Sequence, residues 1–127
     1  MSKPIFVFGS NEAGIHGAGA AKTAYTKHGA RWGKCYGHFG DSFAIPTKDD
    51  SLVTLSLGRI EKYVQGFLAY AEGHRKLTFK VTRIGCGLAN HTDQSIAPMF
   101  KYAPMNCSFD DYWSPLLGHT HNYWGTF

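Results

Sequence analysis

Apolar and polar positions along this chain change period several times, and each change marks an element. Pro4-Ile5-Phe6-Val7-Phe8 is a continuous apolar run of β-branched and aromatic residues that ends at Gly9-Ser10-Asn11. Its length and content predict a buried central strand. After a glycine-rich stretch, Ala18-Gly19-Ala20-Ala21-Lys22-Thr23-Ala24-Tyr25 predicts a helix of small residues packed closely on a sheet, with Gly29 as its stop. Residues 29–40 read as a loop rich in glycine and aromatic side chains. Ser42-Phe43-Ala44-Ile45 predicts a second short strand, stopped by Pro46.

Residues 47–56 are polar and turn-rich, and the clearest helix follows them. Leu57, Ile60, Val64, Phe67, Leu68 and Ala71 recur at the spacing of one helical face, and Gly73 ends the pattern. Residues 77–84 alternate apolar with polar, as a strand does, and run directly into Gly85-Cys86-Gly87-Leu88-Ala89-Asn90. A third helix starts between Thr92 and Ser95, with Pro98 tolerable only in its first turn. Residues 106–109 predict a last short strand. Residues 110–127 are aromatic without a clear period and stay unassigned. The order of elements predicts one α/β layered domain over residues 1–127, with no internal repeat.

Composition narrows the class. With 43% hydrophobic and 15% aromatic residues, the chain can build a core, which excludes a disordered protein. No apolar run approaches a membrane span. Met1-Ser2-Lys3 leads straight into the first apolar segment without a signal-peptide pattern, so a cytoplasmic protein with no membrane partner is expected. Three cysteines without CxxC spacing (Cys35, Cys86 and Cys107) predict free thiols and no metal site. The net charge of +4 suits an anionic ligand, and without a Lys/Arg block it falls short of a nucleic-acid footprint.

The placement of the glycines carries the candidate chemistry. The first glycine loop, residues 9–20, lies between a buried strand and a helix start, where backbone amides converge on an anion and the helix dipole favours it. It has neither the Gly-Lys-Ser/Thr of a Walker loop nor a GxGxxG fingerprint. A tight turn with close helix–sheet packing is the competing explanation for Gly17 and Gly19. The second loop, residues 84–88, also joins a strand to a helix. Two such loops point to a shared cleft at the carboxyl ends of the strands.

Ser10-Asn11 followed by His16-Gly17-Ala18-Gly19-Ala20 resembles the asparagine and glycine-rich loop of macrodomains. Arg83-Ile84-Gly85-Cys86-Gly87-Leu88 is similar to the second phosphate loop of the branch that includes terminal ADP-ribose protein glycohydrolases, and Ile45-Pro46-Thr47-Lys48 fits the same branch. The resemblance spans about residues 4–109 in motif order. It implies a compact three-layer α/β/α macrodomain-like fold with a mixed central sheet, binding ADP-ribose or a related NAD-derived nucleotide and requiring no cofactor. Gly17, Ala18 and Gly19 would hold one side of the diphosphate. Gly85, Cys86, Gly87 and Leu88 would hold the other, with Ser10, Asn11, His16 and Asn90 as further contacts.

Lys48 matches by position the lysine that attacks the ribose in the glycohydrolase branch. Ala89 and Asn90, however, stand where that branch has its acid, and neither transfers protons. Asp49, Asp50 and Asp93 are the nearby substitutes. Three functions therefore stay open: an ADP-ribosyl hydrolase, a non-catalytic reader of ADP-ribosylated macromolecules or sponge for the free nucleotide, and a nucleic-acid module. Other side chains carry two readings each. Lys48 is a nucleophile or a solvated loop lysine, and Cys86 a thiol or a small packing residue. Trp32, Tyr36 and Phe39 stack on adenine or close a core edge. His119 and His121 pair on a metal or lie on a surface tail.

Overall fold

The computed structural model describes residues 3–127; Met1 and Ser2, on which the reading of the N-terminus partly rests, lie outside them. Strand β1 (Ile5–Asn11) begins the sheet. Its apolar run has no alternation because both faces are covered. Ile5 and Val7 enter the larger core, and Phe6 and Phe8 enter a smaller one. Successive side chains of a strand point to opposite faces, so a strand between two layers must be apolar throughout.

Helix α1 (Gly19–Lys27) covers the smaller core with Ala21 and Ala24, whose short side chains let it lie close to Phe6 and Phe8. Its C-terminus closes through His28 and Gly29, the latter at φ +78°. Helix α2 (Leu57–Gly73) covers the opposite face. Ser56 caps it by accepting from the Arg59 amide, and Ile60, Val64, Phe67 and Ala71 are buried on one side. Burying the Phe67 ring alone contributes about 2–3 kcal/mol. Of the predicted face, Leu57 is 38% exposed and Leu68 is half-buried.

Among the described residues the sheet has six strands in the order β2-β3-β1-β4-β5-β6. Strands β3 (Ser42–Lys48), β4 (Phe79–Val81), β5 (Cys107–Asp110) and β6 (Asn122–Gly125) run parallel with β1, whereas β2 (Gly37–Phe39) pairs antiparallel with β3. The result is a mixed sheet between two helical layers, the three-layer α/β/α architecture. No helix among the described residues is long and apolar enough to cross a membrane.

Several predicted boundaries are corrected. β3 does not stop at Pro46 but runs on to Lys48. β2 reaches only as far as Ala44, so Pro46 lies on a stretch of β3 left unpaired on that side, before the Lys48–Thr54 bridge, and such a stretch tolerates proline. β1 continues past Gly9 to Asn11, and β4 is shorter than the alternating stretch that announced it. β2 lies inside a segment read as loop. Pro98 converts the third helix: α3 (Asp93–Ile96), capped by Thr92, gives way to a 3-10 turn (Ala97–Phe100) with the proline in its first turn. The unassigned tail is ordered as a 3-10 turn (Asp111–Trp113), helix α4 (Ser114–Leu117) and β6, and it buries Trp113 in the larger core.

Candidate functional site

The chain leaves β1 to α1 and β2 before returning as β3 on one side, and reaches β4 on the other side through α2. Connections departing in opposite directions open a crevice at the strand carboxyl ends. Side chains at those ends tie the strands together. Thr82 donates to the Val7 carbonyl at 2.7 Å, Thr47 donates to the Ser10 carbonyl at 3.3 Å, and Ser10 donates to the Cys35 carbonyl. A cavity of about 480 Å³ lies in this crevice, lined by both glycine loops.

The loops contribute backbone. Gly17, Ala18, Gly19, Ala20 and Ala21 line the cavity, and among the described residues their amides make no hydrogen bond. The last three belong to the first turn of α1, which has no side-chain cap and no acidic residue. Such amides satisfy an anion readily. On the other side Gly87, Leu88 and Ala89 line the cavity with equally free amides. The Cys86 amide is instead spent on the Arg83 carbonyl at 3.2 Å, closing the turn.

The glycines divide into two groups. Gly14, Gly19 and Gly85 have φ of +71°, +57° and +74°, which the backbone itself requires. Gly17 and Gly87 have ordinary φ, and a Cβ on either would meet nothing within 4 Å. Nothing in the fold calls for glycine at these two positions, yet both line the cavity.

Of the other anticipated contacts, Asn11 lines the cavity, but its amide group holds the loop. Nδ2 donates to the Ile15 carbonyl at 2.7 Å, and Oδ1 accepts from the Ile15 amide at 3.0 Å. His16, expected as a ligand contact, lies where it anchors the loop. It is 1% exposed and does not line the cavity, turning inward between Ile15 and Gly17, which do. Its Nε2 lies 2.9 Å from the Arg31 carbonyl and 3.2 Å from the Lys34 carbonyl, so that nitrogen carries the proton and ties the loop to residues 31–34. Asn90 also falls outside the lining. Its φ of +65° is a left-handed turn that asparagine accepts readily.

Lys48 lines the β3 end of the cavity. The substitute acids do not join it. Asp49 accepts from the Ser51 and Val53 amides, both at 2.9 Å, within its own turn, and Asp50 lies exposed outside the lining. Asp93 takes a bidentate pair from Arg83, at 2.8 and 2.6 Å, plus the Trp113 indole at 2.7 Å. Those bonds, the Arg83 one foremost, hold its carboxyl below the usual range. A depressed folded pKa stabilises the fold above the unfolded value of about 3.9 and is lost as pH falls through the folded one. Melts of wild type and Asp93→Asn from pH 7 to pH 2 should therefore differ most at neutral pH and converge below about pH 3.9.

Cys86 lines the cavity, but burial, reinforced by the Asp93 charge, pushes its thiol up to about 12. It stays protonated near neutral pH and acts as packing. Trp32, Tyr36 and Phe39 lie outside the cavity lining, with Tyr36 donating to the Tyr63 carbonyl. His121 is committed to the Leu117 and Lys101 carbonyls. Among the described residues no group of three or more His, Cys, Asp or Glu could hold a metal ion.

The unassigned tail supplies two lining residues that sequence reasoning missed. Asp110, 1% exposed at the end of β5, accepts from the Tyr112 amide, the Thr126 hydroxyl and the Phe127 amide. Phe127 lines the cavity with its ring 5.8 Å from that of Phe6. An acidic residue directly after a predicted strand was the available signal for Asp110. Leu52, also in the lining, has φ +64°, a conformation that costs a leucine on the order of 1–2 kcal/mol.

These features define an α/β protein with an amide-lined cleft at the switch of its sheet. No protein-family model matches the chain, and neither does any curated protein. In fold it is similar to a solved structure of a protein of unknown function from Bacteroides thetaiotaomicron. The two are 12% identical, over 86% of this chain and 88% of that one, with a TM-score of 0.52. At that identity the likeness concerns the fold alone.

Proposed function

We propose that the cavity binds the diphosphate of ADP-ribose or a related NAD-derived nucleotide, and that the protein is a binder. The observation that carries this reading is the pair Gly17 and Gly87. They are glycines where the fold would accept a side chain, on opposite loops of one cavity whose neighbouring amides are free. A backbone without side chains lets phosphate oxygens approach amides closely, and charge-assisted bonds of this kind are stronger than neutral ones. The resemblance of the two loops to macrodomain loops supplies the choice of ADP-ribose.

Binding is favoured over hydrolysis because the carboxylates near the cavity already hold other groups. Arg83 and Trp113 occupy Asp93, and three donors occupy Asp110. Lys48 would then contact the ligand without a partner to transfer protons. Isothermal titration with ADP-ribose should give saturable heat, and its absence at high ligand concentration removes the reading. Release of free ADP-ribose from an ADP-ribosylated protein, lost in Lys48→Ala, would instead establish the hydrolase.

A further inference from the structure

Three exposed aliphatic side chains, from three separate segments, line the cavity: Ile15 after β1, Leu52 after β3 and Leu88 after β4. Leu88 and Leu52 are 69% and 46% exposed. Leu52 is the one whose presence needs an explanation. Among the described residues it is one of two non-glycine residues with positive φ, the other being Asn90, and glycine or asparagine would hold its turn with less strain. An exposed leucine gains little from burial in the free protein, so strain and exposure point the same way.

The turn is nonetheless held firmly. Asp49 Oδ1 accepts from the Ser51 and Val53 amides, and the Leu52 amide donates to the Asp49 carbonyl at 3.1 Å. The same segment is clamped to the second glycine loop. Thr54 donates to the Ala89 carbonyl at 2.9 Å, and His91 Nε2 donates to the Leu55 carbonyl at 2.9 Å. Leu52 therefore keeps a set position relative to the free amides of Gly87 and Leu88. A strained, preorganised side chain on a cavity wall is accounted for when a ligand covers it.

We infer that Leu52 is a ligand-contacting residue that packs on an uncharged ring of the nucleotide, a ribose or base lying beyond the phosphates towards β3. An aliphatic side chain cannot recognise phosphate, so the bound molecule extends past the diphosphate on the Lys48 side. This rests on the nucleotide-binding reading above.

The test compares wild type, Leu52→Asn and Leu52→Met for ADP-ribose affinity by titration and for thermal midpoint. Asparagine accepts the left-handed turn and removes the apolar contact, whereas methionine keeps the contact. Leu52→Asn should bind at least fivefold more weakly with a midpoint unchanged or raised, and Leu52→Met should stay within twofold of wild type. A smaller loss in Leu52→Asn, a lowered midpoint, or a larger loss in Leu52→Met overturns the inference. Wild type that fails to bind ADP-ribose overturns the nucleotide reading itself, and this inference with it.

Discussion

Replacing Gly17 or Gly87 by valine is expected to leave the fold intact while weakening ADP-ribose binding by roughly a hundredfold or more. Each position has ordinary φ and open space where a Cβ would lie, so the native chain has no steric reason to resist the change. Substitutions of this kind stay within about 0.5 kcal/mol of stability, a shift of roughly 2–3 °C in thermal midpoint for a domain of this size. The added methyl groups would instead occupy cavity space beside the free amides. Losing two charge-assisted hydrogen bonds costs about 3 kcal/mol or more, and each 1.4 kcal/mol is about tenfold in affinity. Paired melting curves and titrations check both halves. Tight binding by both variants would show that the ligand does not lie between the two loops.

Gly14→Ala, three residues earlier in the same loop, should do the opposite and damage the fold. A Cβ there would lie 2.4 Å from the Gly33 carbonyl carbon and 2.6 Å from its Cα, both backbone atoms. The turn cannot easily retreat, because the Gly14 amide donates to the Asn11 carbonyl and the Gly33 amide to the Gly14 carbonyl, at 2.9 and 2.8 Å. The left-handed conformation costs alanine about 1–2 kcal/mol, and overpacking adds about 1–3 kcal/mol. A loss of about 2–5 kcal/mol, read as a lower denaturant midpoint at unchanged slope, is the expected outcome. A loss below about 1 kcal/mol would mean that the 31–34 segment yields freely. Two glycines of one loop thus have separate causes, one steric and one facing the cavity.

Much of the architecture was legible because period and composition act locally. The unbroken apolar run of β1 announced a strand covered on both faces, and the spacing of Ile60, Val64, Phe67 and Ala71 announced the buried side of α2. The start of the third helix near Thr92 and the place of Pro98 in an early turn were also readable, since both depend on bonds within a few residues. β2 and β6 were missed for the converse reason. Each is short and lies in sequence rich in glycine or aromatics, and it is a strand only because a neighbour offers it a ladder. Pro46 misled the reading because its tolerance depends on how far β2 extends along the other side of β3.

The candidate site divides in the same way. Gly17, Ala18, Gly19, Gly85, Gly87 and Leu88 line the cavity as their loops suggested, because a glycine loop between strand and helix is a local signal. His16 and Asn90 do not line it. Whether a loop side chain turns inward to the Arg31 and Lys34 carbonyls, or out into solvent, depends on segments distant in the chain. Asp110 joined the site as the end of β5, which pairs with β4, and Phe127 was brought there by the pairing of β6 with β5.

By itself, then, the sequence determined an α/β order of elements and two glycine loops at strand ends, since these follow from nearest-neighbour chemistry. Tertiary structure alone decided that β1 and β4 are neighbours, so that the two loops share one cavity. It also decided that Asp93 is spent on Arg83, that His16 is an anchor, and that Leu52 is held in a strained turn on the cavity wall. Each of those outcomes depends on groups far apart in the chain, and only the folded sheet sets the distances between them.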